Sequence, residues 1–202
     1  MSGSGSSLER FQTLKSRATP LDRANVDTDQ IVPKQFLKLL GKSGYGKFLF
    51  YDSRFNEDGS ARPDFVLNDP RYSNRQILLT RENFGSGSSR EHAVWAIKDF
   101  GFRVVIASSF SDIFYSNCFK NGLLAIRLPA NEIDFLFAFE GNLRIDLASQ
   151  VVGAGGHRMH FEIDEFRKRL LLEGLDSIAL TEKLEAEISA YEKHDRVLNP
   201  TA

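Results

Sequence analysis

The sequence predicts an α/β protein with a largely parallel sheet, and two patterns in its middle third support this prediction. Short apolar runs within residues 76–81, 103–107 and 123–128 are typical of buried strands. The stretches between them, 88–100 and 110–121, carry apolar residues at helical spacing. Because the connections are short, strand, helix, strand, helix and strand in this order indicate right-handed crossovers between parallel strands.

Both predicted helices have recognisable ends. An apolar stripe runs along residues 93–100 and Gly101 follows it, while Gly122 follows the second helix. Ser88 and Glu91 have the S-x-x-E spacing of a capping box. We therefore expect the first helix to begin at or near Ser88.

The flanking segments are less regular. Pro33 interrupts any helix or ladder, the glycines within 41–46 predict a mobile loop, and 51–72 is predicted to be irregular surface. Alternation at 143–147 predicts a half-exposed strand that pairs, through a turn at 153–156, with 159–163.

Two amphipathic helices are predicted near the carboxyl terminus. The first spans 166–174, and the second has apolar residues at spacings of four, four and three: Leu180, Leu184, Ile188 and Tyr191. We therefore divide the chain into one domain at 8–174 and a helical extension with a tail at 175–202. The extension could pack on its own domain or cover a partner. Residues 1–7 are of low complexity and are read as an expression scar.

Composition excludes several classes of protein. Among 202 residues, 26 basic and 27 acidic side chains give a net charge of −1, which argues against binding nucleic acid through a basic face. No apolar run approaches the roughly 20 residues of a membrane span. Cys118 is the sole cysteine, so the chain cannot form an internal disulfide, a CxxC metal site or an all-cysteine iron–sulfur site. A cytoplasmic location is expected.

The richest segment for chemistry is the turn before the first helix, GSGSSRE at residues 85–91. Its two glycines allow a tight turn with exposed N–H groups, and the helix that follows offers its positive end to an anion. Arg90 adds a planar cation suited to a carboxylate. The turn lacks the third glycine of a dinucleotide fingerprint and the Gly-Lys of a P-loop. Alternatively, the serines only cap the helix and Arg90 forms a surface ion pair.

Other candidates have weaker patterns. Asp27 and Asp29 could be part of a metal site, or they could satisfy their own turn. The histidines show no zinc spacing, and His92 could orient the turn. Cys118 lies on an apolar helical stripe and is predicted to be core.

Several motifs resemble the swivelling C-terminal domain of the aconitase superfamily: NFGSGSSREHA at 83–93, IASSF at 106–110, NCFKNGL at 117–123 and VDTDQIVP at 26–33. Together with its length, FLK at 36–38 and GYG at 44–46 make the chain similar to the small-subunit family of bacterial-type 3-isopropylmalate dehydratases.

This resemblance implies a three-layer β/β/α swivelling domain that forms a heterodimer with a large subunit. It implies that the large subunit carries a 4Fe–4S cluster, and that this chain binds no metal or cofactor of its own. The implied reaction dehydrates 2-isopropylmalate to isopropylmaleate and rehydrates it to 3-isopropylmalate, in leucine biosynthesis.

The resemblance also implies roles for individual residues. Ser88 would be the base that removes the carbon-bound proton, and Ser89 and Arg90 would hold substrate carboxylates. Active-site or substrate-binding positions further include Thr28, Asp29, Gly85, Ser86 and Gly87. Gln30 stands where aconitase has a histidine, so that histidine's role does not carry over. A further arginine that aconitase uses has no assigned counterpart here.

Substrate identity is the least constrained point. Residues 33–50 would face the variable substituent, and their apolar side chains could contact an isopropyl group or pack in the core: Phe36, Leu37, Leu39 and Leu40. The alternatives are the small subunit of a homoaconitase or citraconate hydratase, or an anion-binding module without catalysis.

Overall fold

A computed structural model describes residues 8–38, 41–175 and 185, and it contains a parallel sheet of four strands. The spatial order of the strands is β2, β3, β4, β5. They span Ala18–Pro20, Ile77–Leu79, Val104–Ala107 and Leu124–Arg127, respectively. The apolar runs that define β3, β4 and β5 are almost entirely buried. The predicted strand–helix alternation is therefore confirmed.

A second, antiparallel sheet has the order β1, β6, β7, β8. Its strands span Thr13–Ser16, Leu143–Asp146, Val151–Ala154 and His157–His160. Buried apolar residues from both sheets belong to one core cluster. The fold class is thus α/β with a parallel and an antiparallel sheet.

Six helices occur in the described part of the chain: α1 (Thr28–Ile31), α2 (Tyr51–Arg54), α3 (Glu91–Asp99), α4 (Asp112–Lys120), α5 (Ala130–Ala138) and α6 (Glu165–Glu173). Helices α3 and α4 provide the crossovers of the parallel sheet. None of these described helices has the length and apolar character that a membrane span requires. The predicted helix at 166–174 is confirmed as α6, and Gly174 lies just past its end in the left-handed conformation.

The predicted start of α3 is wrong. The helix begins at Glu91, Arg90 occupies the N-cap position, and no N-cap side chain closes the first turn. Ser88 lies before the helix, and its carbonyl oxygen accepts a hydrogen bond from the Thr28 hydroxyl at 3.0 Å. This tertiary contact holds the serine in the turn, so the Ser88–Glu91 capping box does not form.

The predicted pairing of β6 is also wrong. Strand β6 pairs with β7, and Gly153 lies inside β7 opposite Arg144. The turn that follows uses Gly155 and Gly156, both with positive φ, and leads to β8. No element was predicted from the sequence at the positions of β1, β2, β7, α1 or α5.

The segment predicted as a mobile loop contributes to the core at its carboxyl end. Tyr45 is fully buried. A Cβ on Gly46 would lie 2.7 Å from the backbone carbon of Asp99, so only glycine permits this close approach to the end of α3. Residues 51–72 contain α2 and short 3₁₀ turns but are otherwise irregular, as predicted.

The proposed boundaries at residues 7 and 174 stay predictions. Residues 1–7 lie outside the described residues, and so do Leu180, Leu184, Ile188 and Tyr191 of the predicted last helix. Cys118 is fully buried, which confirms its assignment to the core.

Candidate active site

The fold brings together two motifs that are almost sixty residues apart in the sequence. The Gly85 N–H donates to the Val26 carbonyl at 2.7 Å, and the Thr28 N–H donates to the Ser86 carbonyl at 2.8 Å. The Thr28 hydroxyl completes the connection by donating to the Ser88 carbonyl. The segment at 26–29 and the turn at 85–90 therefore form one surface.

Residues 109–111, which follow β4, hold the same turn through two further hydrogen bonds. The Ser111 hydroxyl donates to the Gly85 carbonyl at 2.5 Å, and the Phe84 N–H donates to the Ser109 carbonyl at 3.1 Å. Gly85 has a φ of +75°, and a Cβ there would lie 2.2 Å from the Phe114 ring. The glycine is thus required both for its conformation and for the space that it leaves.

Residues 87–89 of the turn face solvent. Gly87 has a φ of +90°, and Gly87, Ser88 and Ser89 are exposed. Ser86 is half-buried. Both serine hydroxyls that the resemblance implicates are therefore accessible to a small molecule.

Arg90 is held at the junction of the two motifs. Its side chain is only 12% exposed, and its Nη1 forms an ion pair with Asp29 Oδ1. No other hydrogen bond to this guanidinium occurs among the described residues. Nε and Nη2, on the other edge of the fork, therefore have no acceptor within the described part of the protein. This edge has the geometry that matches a planar anion.

Asp29 also contacts a second cation. Its Oδ2 lies 3.6 Å from Nζ of Lys34, a side chain that is largely exposed. No sequence signal pointed to Lys34, because a separation of five residues across a proline does not indicate contact. Asp29 neutralises the charge of Arg90, and the positive charge of Lys34 compensates for this. The three side chains together therefore remain positively charged.

Asp27 has a structural role at the start of α1. Its carboxylate accepts from the Gln30 N–H at 2.7 Å, and Gln30 Oε1 accepts from the Asp27 N–H at 3.2 Å. This capping box favours the interpretation that the aspartate satisfies its own turn. No group of three or more His, Cys, Asp or Glu residues in the described ranges could hold a metal ion.

The amino end of α3 begins directly after Arg90 and has no side-chain cap. The described residues supply no side-chain acceptor to the N–H groups of Glu91, His92 and Ala93. These groups carry the positive end of the helix dipole. A carboxylate placed beside Arg90 would therefore meet both a cation and backbone donors.

His92 lies in the first turn of α3 and packs against two aromatic rings. Its ring centre is 4.7 Å from that of Trp95 and 5.2 Å from that of Tyr45. Burial lowers the pKa of His92, and the nearby Arg90 lowers it further. The neutral imidazole is therefore favoured, and the ring joins residues 41–46 to the helix. Tyr45 and Trp95 were not predicted as members of this cluster.

The thiol does not suit an iron–sulfur cluster. Burial raises the pKa of Cys118 well above its ordinary value, which disfavours the thiolate that iron requires. Cys118 is also the only cysteine in the sequence, so the residues of this chain do not fit a cluster that needs three or four thiolates.

The chain is similar to proteins of known family. It matches the family described as the aconitase C-terminal domain over residues 8–131. It is 52% identical over 208 residues to the 3-isopropylmalate dehydratase small subunit of Aromatoleum aromaticum, covering 96% of this chain and 98% of that protein. A small subunit of the same name from Azorhizobium caulinodans is 51% identical over 199 residues, covering 96% and 99%.

A solved structure supports the same relationship. The crystal structure of 3-isopropylmalate dehydratase from Methanocaldococcus jannaschii aligns with a TM-score of 0.64 and 28% identity, covering 89% of this chain and 99% of that one. These similarities confirm the swivelling-domain fold and the resemblance drawn from the motifs.

Proposed function

Because the chain belongs to the 3-isopropylmalate dehydratase small-subunit family, we propose that its serine–arginine turn supplies the base and a carboxylate-binding group of the dehydratase. The chain is a small subunit of this aconitase-family hydro-lyase, which acts in leucine biosynthesis. The family name implies a large-subunit partner. The further proposals concern the residues, the substrate and the assembly.

The free edge of Arg90 is the observation that carries the proposal. Asp29 fixes one nitrogen of the guanidinium, and burial restricts the remaining motion of the side chain. A carboxylate of 2-isopropylmalate would accept two parallel hydrogen bonds from Nε and Nη2. The uncapped start of α3, which follows Arg90 in the chain, would favour the same negative charge.

We assign proton removal to Ser88. Its side chain is exposed, and its backbone is fixed by the bond from Thr28. The field of the helix end and the charge of Arg90 favour the deprotonated form of a nearby hydroxyl. In the dehydration direction, Ser88 Oγ would accept the carbon-bound proton, and it would return that proton in the hydration direction.

The remaining candidate residues are proposed either to contact the substrate or to hold the turn in position. Ser89 is exposed and is proposed to donate to a substrate carboxylate. Thr28 is buried and Asp29 faces Arg90, so both are proposed to position the turn, although the resemblance placed them at substrate-binding positions. Gly85, Ser86 and Gly87 are proposed to shape the backbone that the substrate approaches.

The Lewis acid is proposed to belong to the large subunit. Since this chain has a single cysteine, a 4Fe–4S cluster would be held by the partner in a heterodimer. When bound there, such a cluster would assist departure of the substrate hydroxyl. The role of this chain is to hold the carboxylates and to move the proton.

The isopropyl group is proposed to face residues 33–50. Phe36 and Leu37 are partly buried and pack against the core, and Phe36 stacks on Phe48 with ring centres 4.1 Å apart. Leu39 and Leu40 lie outside the described residues. Phe36 lies two residues after Lys34, which contacts Asp29, the ion-pair partner of Arg90. We therefore propose that an apolar substituent lies on this side of the carboxylate site.

Reconstitution tests this proposal. The purified chain is mixed anaerobically with an iron-loaded large subunit, and isopropylmaleate formation is followed by ultraviolet absorbance. We expect turnover of 2-isopropylmalate only when both subunits are present, and no iron–sulfur absorbance from this chain alone. Citrate and homocitrate serve as controls, and preferred turnover of either would contradict the assigned substrate.

A further inference from the structure

A cavity of about 500 Å³ lies at the free edge of the parallel sheet, and it shares no residue with the serine–arginine turn. Three arginines line it: Arg17, Arg71 and Arg75. Tyr72 and the apolar end of α5 form other parts of its wall. We call this cavity the arginine pocket.

The apolar wall follows from the strand register. Pro20 of the edge strand β2 lies opposite Leu79 of β3, and Ala18 lies on the same face as Pro20 because side chains alternate along a strand. Helix α5 faces these residues with Leu136 and Phe137. A ligand here would bury an apolar body against side chains on both sides.

Arg75 is a preorganised cation in this pocket. Its Nη1 donates to the Ala18 carbonyl, and its Nη2 donates to the Arg71 carbonyl at 2.8 Å. The guanidinium also stacks over the Tyr72 ring at 4.3 Å. Burial lowers the pKa of Arg75, the neighbouring Tyr72 and Asp69 raise it, and repulsion from Arg17 and Arg71 lowers it. An anion between these groups would relieve the repulsion.

The three arginines differ in what already pairs with them. Arg71 is bound to Asp69 through Nε at 2.8 Å and Nη2 at 2.6 Å. Arg17 is exposed, and within the described ranges its side chain has no hydrogen bond or ion pair. Glu140 is the acidic residue of the wall. The pocket and the bound Asp69 together carry a net charge of +1, and Arg17 is the group left to receive a ligand.

We propose that the arginine pocket binds a small carboxylate with an apolar body. The carboxylate lies between Arg17 and Arg75, and the body lies between β2 and α5. Compact anions such as phosphate fit only the charged half of the pocket. Glu140 could also accept from an ammonium group, so the ligand is either a plain carboxylic acid or an α-amino acid with an apolar side chain. The site is independent of the proposed dehydratase chemistry.

Calorimetric titration of the full chain with 4-methylpentanoate and with L-leucine tests the proposal. We expect saturable binding of at least one compound, weakened about tenfold or more by Arg17→Gln, since a charged hydrogen bond is lost. Arg158→Gln, an exposed arginine on β8, is the matched control and should leave binding unchanged.

The variant Glu140→Gln distinguishes the two ligand types. If Glu140→Gln weakens the binding of L-leucine only, the result supports an amino acid as the ligand. Binding of 4-methylpentanoate that Glu140→Gln leaves unchanged supports a carboxylate site that both compounds share. The proposal is overturned if neither compound binds at up to about 10 mM. It is equally overturned if Arg17→Gln has no effect, or if inorganic phosphate binds more tightly than both.

Discussion

Replacing Arg90 by lysine tests how the turn reads a carboxylate. Lysine keeps the positive charge and can still reach Asp29, but it has no second edge with two fixed N–H donors. One charge-assisted hydrogen bond contributes about 1.5–3 kcal/mol, so Arg90→Lys should lower kcat/KM about 10- to 100-fold. Steady-state kinetics of the reconstituted enzyme with 2-isopropylmalate measure this change.

Stability separates this effect from damage to the fold. Because the ion pair with Asp29 can persist, the free energy of unfolding should change by about 1 kcal/mol or less. Arg158→Lys, on the exposed face of β8, controls for the substitution itself. An unchanged kcat/KM in a correctly assembled Arg90→Lys enzyme would refute the carboxylate-binding role.

Three further changes have defined outcomes. Gly85→Ala places a methyl carbon 2.2 Å from the Phe114 ring at a φ of +75°. Urea unfolding should show that the free energy of unfolding falls by roughly 3 kcal/mol or more. Gly59→Ala is the control and should lose less stability, because Gly59 has a similar φ but open space around it. Thr28→Val removes the hydroxyl's bond to the turn, and it should lower stability by about 1 kcal/mol and kcat/KM severalfold. The folded-state pKa of His92 lies below 6.5, so its stabilising contribution is complete above that pH and is lost as the pH falls. Between about pH 7.5 and about pH 5.5 the wild type should therefore lose more stability than His92→Gln, and equal losses would contradict the assignment.

The parallel sheet could be predicted because its signals are local. The apolar runs of β3, β4 and β5 and the periodic faces of α3 and α4 each determine their own element. The antiparallel pairing failed because Gly153 was interpreted as part of a turn, whereas the true turn uses the next two glycines. Helix α5 was missed because its sequence ANEIDFLFA has no clean polar face.

The residues of the site could be predicted from the sequence, but the contacts between them could not. The motifs identified Ser88, Arg90 and Asp29, yet no local pattern predicts that the last two form an ion pair. The capping prediction for Ser88 failed because a hydrogen bond from Thr28, sixty residues away in sequence, prevails over a local cap. Lys34 was missed for a different reason, since its contact with Asp29, five residues earlier, depends on how the chain turns at Pro33.

The Ser88→Ala enzyme tests the central claim most directly. Since Ser88 does not cap α3, the substitution removes the proposed base without removing a helix cap. We predict that the variant assembles with the large subunit as the wild type does, measured by size-exclusion chromatography, and that isopropylmaleate formation from 2-isopropylmalate is abolished. Wild-type turnover by the assembled Ser88→Ala enzyme would contradict the assignment of the base.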